Sequence, residues 1–231
     1  MNQYDINYPR TSDQVVIAQN ALIRQVYAWM GAGLLVTALL AYVTISSPAI
    51  FSAVIGNRLV FYGLILGELG LVVALSGAIN RLSAGTATLM FLVYSALNGV
   101  TLSIVFRVYT AESIGSTFFV TAGMFGAMSI YGSTTKKDLT SWGSFLFMGL
   151  IGIVIASVVN IFVGSSAVSW VVSAIGVIIF TGLTAYDTWK IKEMAAAGVG
   201  GRKPAIIGAL TLYLDFINLF LMLLRFTGRE R

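Results

Sequence analysis

Cysteine and histidine are both absent from the 231 residues. The first absence rules out disulfides and thiolate chemistry. The second removes the usual zinc, haem and Ser-His-Asp sites. Charge is scarce as well: 10% of the residues are Asp, Glu, Lys or Arg, against about 25% in a typical soluble domain. Hydrocarbon fills the chain instead, with 58% of positions hydrophobic. That composition describes an integral membrane protein.

The formal net charge of +5 does not point to nucleic acid. The 14 Lys and Arg are scattered in short hinges between apolar blocks, a distribution that fits membrane topology better than a phosphate-binding face. Residues 1–24 are polar, carry Asp5, Arg10, Asp13 and Arg24, and contain no apolar run with a small-residue cleavage site; no removable signal peptide is expected. Within that segment, Thr11 followed three residues later by Gln14 is a capping-box signal, and the mixed polarity after it predicts a short amphipathic helix.

Seven apolar blocks follow, at about 25–45, 59–79, 86–107, 114–132, 143–163, 169–190 and 205–226. Each is long enough to cross a hydrocarbon core of roughly 30 Å at 1.5 Å per helical residue. The block at 114–132, rich in Gly, Ser and Thr, is the one expected to be broken or re-entrant. The short connections predict one all-α bundle over 25–226, ending in a basic tail at 227–231. Arg10, Arg24, Arg81, Lys136, Lys137, Lys190, Lys192, Arg202 and Lys203 fall on the amino-terminal side, and Arg58, Arg107, Arg225, Arg229 and Arg231 on the other. Nine cations against five place the amino terminus in the cytoplasm. Glycines inside the spans, as in "GAG" at 31–33, "GMFGAM" at 123–128 and "GLIG" at 149–152, read mainly as close helix contacts.

Against this background the ionisable residues inside the spans stand out. Asp187 lies near the end of the sixth block and Asp215 three turns into the seventh, in "ALTLYLDFINLFLMLLRF". Residue 201, inside the Gly-rich turn "AGVGGRKP", is midway between them, so an antiparallel hairpin sets the two at similar depth. An unpartnered aspartate in hydrocarbon costs about 2.5–3.5 kcal/mol on insertion scales, so both should face the interior. Two carboxylates sharing a site cannot both ionise cheaply, and one proton is expected between them. Such a pair is a pH switch made without histidine, and calcium, which prefers oxygen ligands, is its natural though weakly held counter-ion. The plainer alternatives are a static hydrogen-bonded pair, Asp187 reaching the headgroups beside Lys190, or Asp215 contacting Asn218, Tyr213 or an arginine. Glu68 is a third buried acid. Arg81, at the end of the same helix, reads first as a topology anchor, with a side chain long enough to reach inward. Asn98 and Thr101 share a face, Asn98 as a pore-lining or interhelical donor; Asn160 and Asn218 read as structural glue.

The stretches "ELGLVVALSGAINRLSAGTATLMFLVYSALNGVTLS", "FGAMSIYGSTTKKDLTSWGSFLFMGLIG", "GLTAYDTWKI" and "LYLDFINLFLMLLR" closely resemble the Bax inhibitor-1 (TMBIM) family in its bacterial branch, from about Arg24 to Phe226. The resemblance implies six helices surrounding a central last one, and a pH-sensitive calcium leak across the inner (plasma) membrane. It implies that Asp187 and Asp215 form the sensing pair, that Arg81 latches to the pair in the closed state, and that Glu68 matches the family's second-helix glutamate. The expected ion path then involves Glu68, Asn98, Asp187 and Asp215, with calcium and protons as the permeating or titrating partners and no cofactor. Eukaryotic relatives suppress cell death; likeness carries over only the conduction step beneath that role.

Other readings compete. An intramembrane aspartyl protease would need a Gly-x-Gly-Asp context where this chain has "LYLD", and its proline-containing motif is missing. A retinal pump needs a lysine that the block 205–226 lacks. A proton-coupled transporter also uses paired buried acids, although the hydropathy has no evident inverted repeat. A protein that regulates other membrane proteins through its helix faces is the remaining alternative.

Overall fold

The computed structural model describes residues 11–231; the first ten, part of the polar amino-terminal segment, lie outside the described residues. Within them the chain is helical almost throughout: α1 (Ser12–Ser46), α2 (Pro48–Val54), α3 (Arg58–Ala78), α4 (Ala84–Leu102), α5 (Val105–Val108), α6 (Ala111–Thr134), α7 (Thr140–Val163), α8 (Ser166–Ala196) and α9 (Arg202–Thr227). Seven segments are long and apolar enough to cross a membrane. The protein is an all-α integral membrane protein.

Helix starts are written in the loops. Thr11 completes its capping box with Gln14 in both directions. Ser47, Asn57, Ser83, Thr110 and Ser165 each offer a side-chain oxygen to a first-turn amide of the helix that follows. These short polar residues satisfy amides that would otherwise be orphaned where each helix begins. The amphipathic segment after Thr11 does not form a separate helix; α1 runs unbroken for 35 residues into the first span.

The interruption expected in the fourth span falls in the third. α6 is continuous over 24 residues, whereas α4 stops at Leu102 and the chain turns before α5 resumes the same crossing. Hydroxyls bond the backbone at the break. Ser103 donates to the Val100 carbonyl at 2.7 Å, and Thr101 Oγ1 lies 3.0 Å from the Asn98 carbonyl, so side chains compete with the backbone ladder. In α6, Thr117, Thr121, Ser129 and Gly132 are buried against neighbours, and Thr121 bonds back to the Thr117 carbonyl within the helix.

α9 is the axis of the bundle. In its most apolar stretch 67% of residues are buried, against 11% in α3 and in α7. Helices α1, α4, α6 and α8 pack directly on it, while α3 packs chiefly on α4 and α7 on α8. The arrangement is a central helix, an inner ring of four and two outer helices. Close approach is set by glycine at Gly99 and Gly132, where an added Cβ would run into the carbonyls of Thr37 and Ala185. Gly33 and Gly149 also meet neighbouring side chains, but Gly31, Gly123, Gly126 and Gly152 have open space around them. After α9 the tail folds back, pairing Tyr109 with Glu230 and Thr110 with the Arg229 carbonyl.

Candidate functional site

The α8–α9 hairpin turns through Gly198 and Gly201, both at positive φ. Glycine reaches that backbone region without a Cβ penalty. The turn sets Asp187 of α8 opposite Asp215 of α9, and their carboxyls lie in direct interaction range. Asp215 is buried at 4% exposure, and its Oδ2 has no hydrogen-bond partner among the described residues. A carboxylate only accepts hydrogen bonds, so the contact becomes a bond when a proton lies between the two acids.

Both acids wall a cavity of about 490 Å³ between α7, α8 and α9, together with Ser144, Lys190, Thr211 and Asn218. A second cavity of about 280 Å³, on the α1 side, shares Asp187, Lys190 and Thr211. The aspartate hairpin is therefore flanked by a cavity on each side. Lys190 sits three residues beyond Asp187 on α8, with its Nζ 5.9 Å from the Tyr186 ring centroid. It is the cation of this site. Arg81 is exposed in the 3-10 turn after α3 and takes no part in either cavity; the latch contact expected of it is not made in this structure.

Glu68 and Asn98 belong to a different cluster. Glu68 is buried; its Oε1 accepts from Thr101 at 2.9 Å and its Oε2 from the Asn98 amide at 3.3 Å. The Tyr213 hydroxyl donates to Asn98 Oδ1 at 3.1 Å and lies 2.6 Å from the Thr37 hydroxyl. The Tyr213 ring packs edge-on against Phe91 and Tyr94. Four helices, α3, α4, α9 and α1, are thereby tied by one buried polar chain. Residues two apart on a helix point about 200° from one another. Asp215 thus faces α8, and Tyr213 faces α1 and α4.

The structure brings Asp187 to Asp215 and Glu68 to Asn98, and sets the two groups on opposite sides of α9. Tyr213 and Thr37 complete the second group. Sequence reading considered Tyr213 only as a contact for Asp215, although a hydroxyl inside a buried "LYLD" already demanded a partner of its own. Lys190 was weighed as a headgroup neighbour; its spacing from Asp187 was the signal for more. Asn160 is glue: it bonds the Ser165 backbone and the Ser169 hydroxyl at the α7–α8 turn. Asn218 donates to the Leu214 carbonyl while lining the acid cavity.

Among the described residues no group of three or more His, Cys, Asp or Glu converges as a metal centre. Calcium takes six to eight oxygens. Around the two carboxyls the cavity offers only the side-chain oxygens of Ser144, Tyr186, Thr211 and Asn218 as further oxygens.

Comparison with known proteins agrees with this architecture. Residues 19–231 match the family model described as inhibitor of apoptosis-promoting Bax1. The chain is 54% identical to the inner membrane protein YbhL of Escherichia coli K12, over 97% of this chain and 99% of the relative. It is 48% identical to an uncharacterised protein of Borreliella burgdorferi, over 94% and 96% of the two chains. An uncharacterised membrane protein of Streptococcus pyogenes serotype M6 is 39% identical, over 95% and 99%. With nearly its whole length matched by the family model and by full-length relatives, the chain belongs to the Bax inhibitor-1 family.

Proposed function

We propose that this protein is a pH-sensitive calcium leak channel of the inner membrane, gated by Asp187 and Asp215, and not an enzyme. One observation carries the reading: two carboxyls, Asp215 buried and Asp187 opposite it, meet beside a cavity of about 490 Å³ within a bundle of apolar helices. With a proton between them the pair holds α9 to α8. Loss of that proton leaves two negative charges in a low-dielectric site, which repel and favour separation of the hairpin. Calcium then crosses down its gradient along a weak route of oxygens. Inner-membrane location follows the name of the Escherichia coli relative, and the cation count sets the amino terminus in the cytoplasm.

Lys190 takes the charge-balancing place that resemblance gave to Arg81. Latching by Arg81 then requires movement of the α3–α4 turn toward the pair.

A second reading has a specific observation behind it. Besides the aspartate pair, the bundle buries a second acid, Glu68, in a hydrogen-bonded cluster of its own, and buried acids in separate groups suit a proton-coupled carrier. Calcium flux into proteoliposomes between about pH 5 and pH 8 tests both readings. The channel predicts a pH-dependent leak whose profile changes in Asp215→Asn and Asp187→Asn. Identical profiles in wild type and both variants would sink the sensor role. Calcium uptake that requires an imposed proton gradient would favour the carrier.

A further inference from the structure

At the other end of the bundle, where α7 ends, α8 begins and α9 ends, a separate cavity of about 490 Å³ has polar walls. Ser157, Asn160, Ser166, Ser169, Met222 and Arg225 are among its lining residues. Arg225 is exposed and is its one charged lining residue; no acidic side chain faces it there. Asn160 is held rigidly by Ser165 and Ser169, with Ser169 Oγ accepting from its amide at 2.7 Å. The hydroxyls of Ser157, Ser166 and Ser169 line the same cavity. A guanidinium and three hydroxyls in one cavity, with no acidic lining residue, form a donor set suited to an anion.

The surroundings say which kind. Trp170 near the start of α8 and Phe226 near the end of α9, both exposed, lie with tilted rings and centroids 5.1 Å apart at this end of the bundle. Exposed aromatics at the end of a span mark the level of the headgroups. The outward face of α7 beside the cavity is bare hydrocarbon, with Ile161 and Phe162 at 77% and 85% exposure. An apolar groove of about 440 Å³ runs between α7 and α8, lined by Gly149, Gly152, Ala156, Val168 and Ile175, and it shares Val172 with the polar cavity. A polar compartment and an apolar groove meeting at one residue match a molecule with a charged head and a hydrocarbon tail.

We propose that this cavity binds the phosphate of an anionic phospholipid, with Arg225 as its charged contact. The site is distinct from the aspartate cavity and does not depend on what the protein conducts. Native mass spectrometry of the full chain in detergent tests it, with phosphatidylglycerol, a diacylglycerol of the same chains and inorganic phosphate as probes. Wild type is expected to retain phosphatidylglycerol and not diacylglycerol. Arg225→Gln should weaken retention roughly fivefold or more, while Arg229→Gln, outside the cavity, keeps the wild-type value. Ser157→Leu, which fills the cavity and leaves the charge, should weaken it comparably. Wild-type retention in either Arg225→Gln or Ser157→Leu overturns the proposal. So does equal loss in Arg229→Gln, which would mean diffuse attraction, or saturation by inorganic phosphate at the lipid's own concentration, which would mean a free-anion site.

Discussion

Tyr213 is the residue whose removal should be felt most for the least change in shape. Tyr213→Phe keeps the ring against Phe91 and Tyr94 and strips the hydroxyl from Asn98 and Thr37. Leaving buried polar partners unsatisfied costs about 1–3 kcal/mol. For a chain of this size that corresponds to a fall in melting temperature of roughly 2–4 °C per kcal/mol, read by thermal denaturation in detergent. A second residue prediction concerns Lys190. An adjacent cation favours the charged form of a carboxylate. Lys190→Gln is therefore expected to move the midpoint of the proposed calcium leak toward higher pH. An unmoved midpoint would mean that Lys190 merely reaches solvent beside Tyr186. Both roles were only half legible beforehand: residue type and spacing announced a polar group in hydrocarbon, but the partner of each group lies on another helix.

Helix contacts sort the glycines into two kinds. At Gly132 an added methyl meets the Ala185 backbone carbonyl, which cannot rotate away, so Gly132→Ala should cost about 1–3 kcal/mol. Gly126, one and a half turns earlier in α6, has open space, and Gly126→Ala should be neutral or slightly stabilising. Melting temperatures of the two variants check the contrast. The start of α7 supplies a pH test outside the membrane. The hydroxyl and amide of Thr140 bond to Asp138, the amide at 2.8 Å, and hold its carboxyl below the usual 3.8. A depressed value means the stabilisation is present above the ordinary value and is lost as pH falls through the lower, folded one. Asp138→Ala should thus speed hydrogen exchange at the Thr140 amide near neutrality and make no difference below the folded value. The break between α4 and α5 belongs at this level too. Composition drew attention to the Gly, Ser and Thr of α6, yet its hydroxyls bond three or four residues back within an intact ladder. The chain turns instead after Leu102, where Thr101 is drawn to Glu68 of α3.

In the molecule as a whole, α9 is screened from lipid by an inner ring, and α3 and α7 are the helices left most exposed. The crossing direction proposed from the cation count is directly measurable, because the chain has no native cysteine. Arg58→Cys should react with an impermeant thiol reagent in intact cells, and Lys136→Cys only after the membrane is permeabilised. The reverse pattern would invert the topology and move the aspartate cavity to the opposite compartment.

Hydropathy along the chain was enough for seven crossings, and hydroxyl and amide caps were enough for where most helices begin, because both depend on residues adjacent in sequence. The facing of Asp187 and Asp215 was also within reach, since a hairpin relates depth to distance from its turn. What lay beyond that reach was everything decided by rotation of one helix against another. The separation of Glu68 from the aspartates, the tie through Tyr213 to Thr37, the displacement of Arg81 from the pair and the polar cavity around Arg225 all depend on which faces of non-adjacent helices meet. In a bilayer that choice is made by small-residue contacts and shared hydrogen bonds, whose partners are more than 100 residues apart for Tyr213, and no local pattern encodes them.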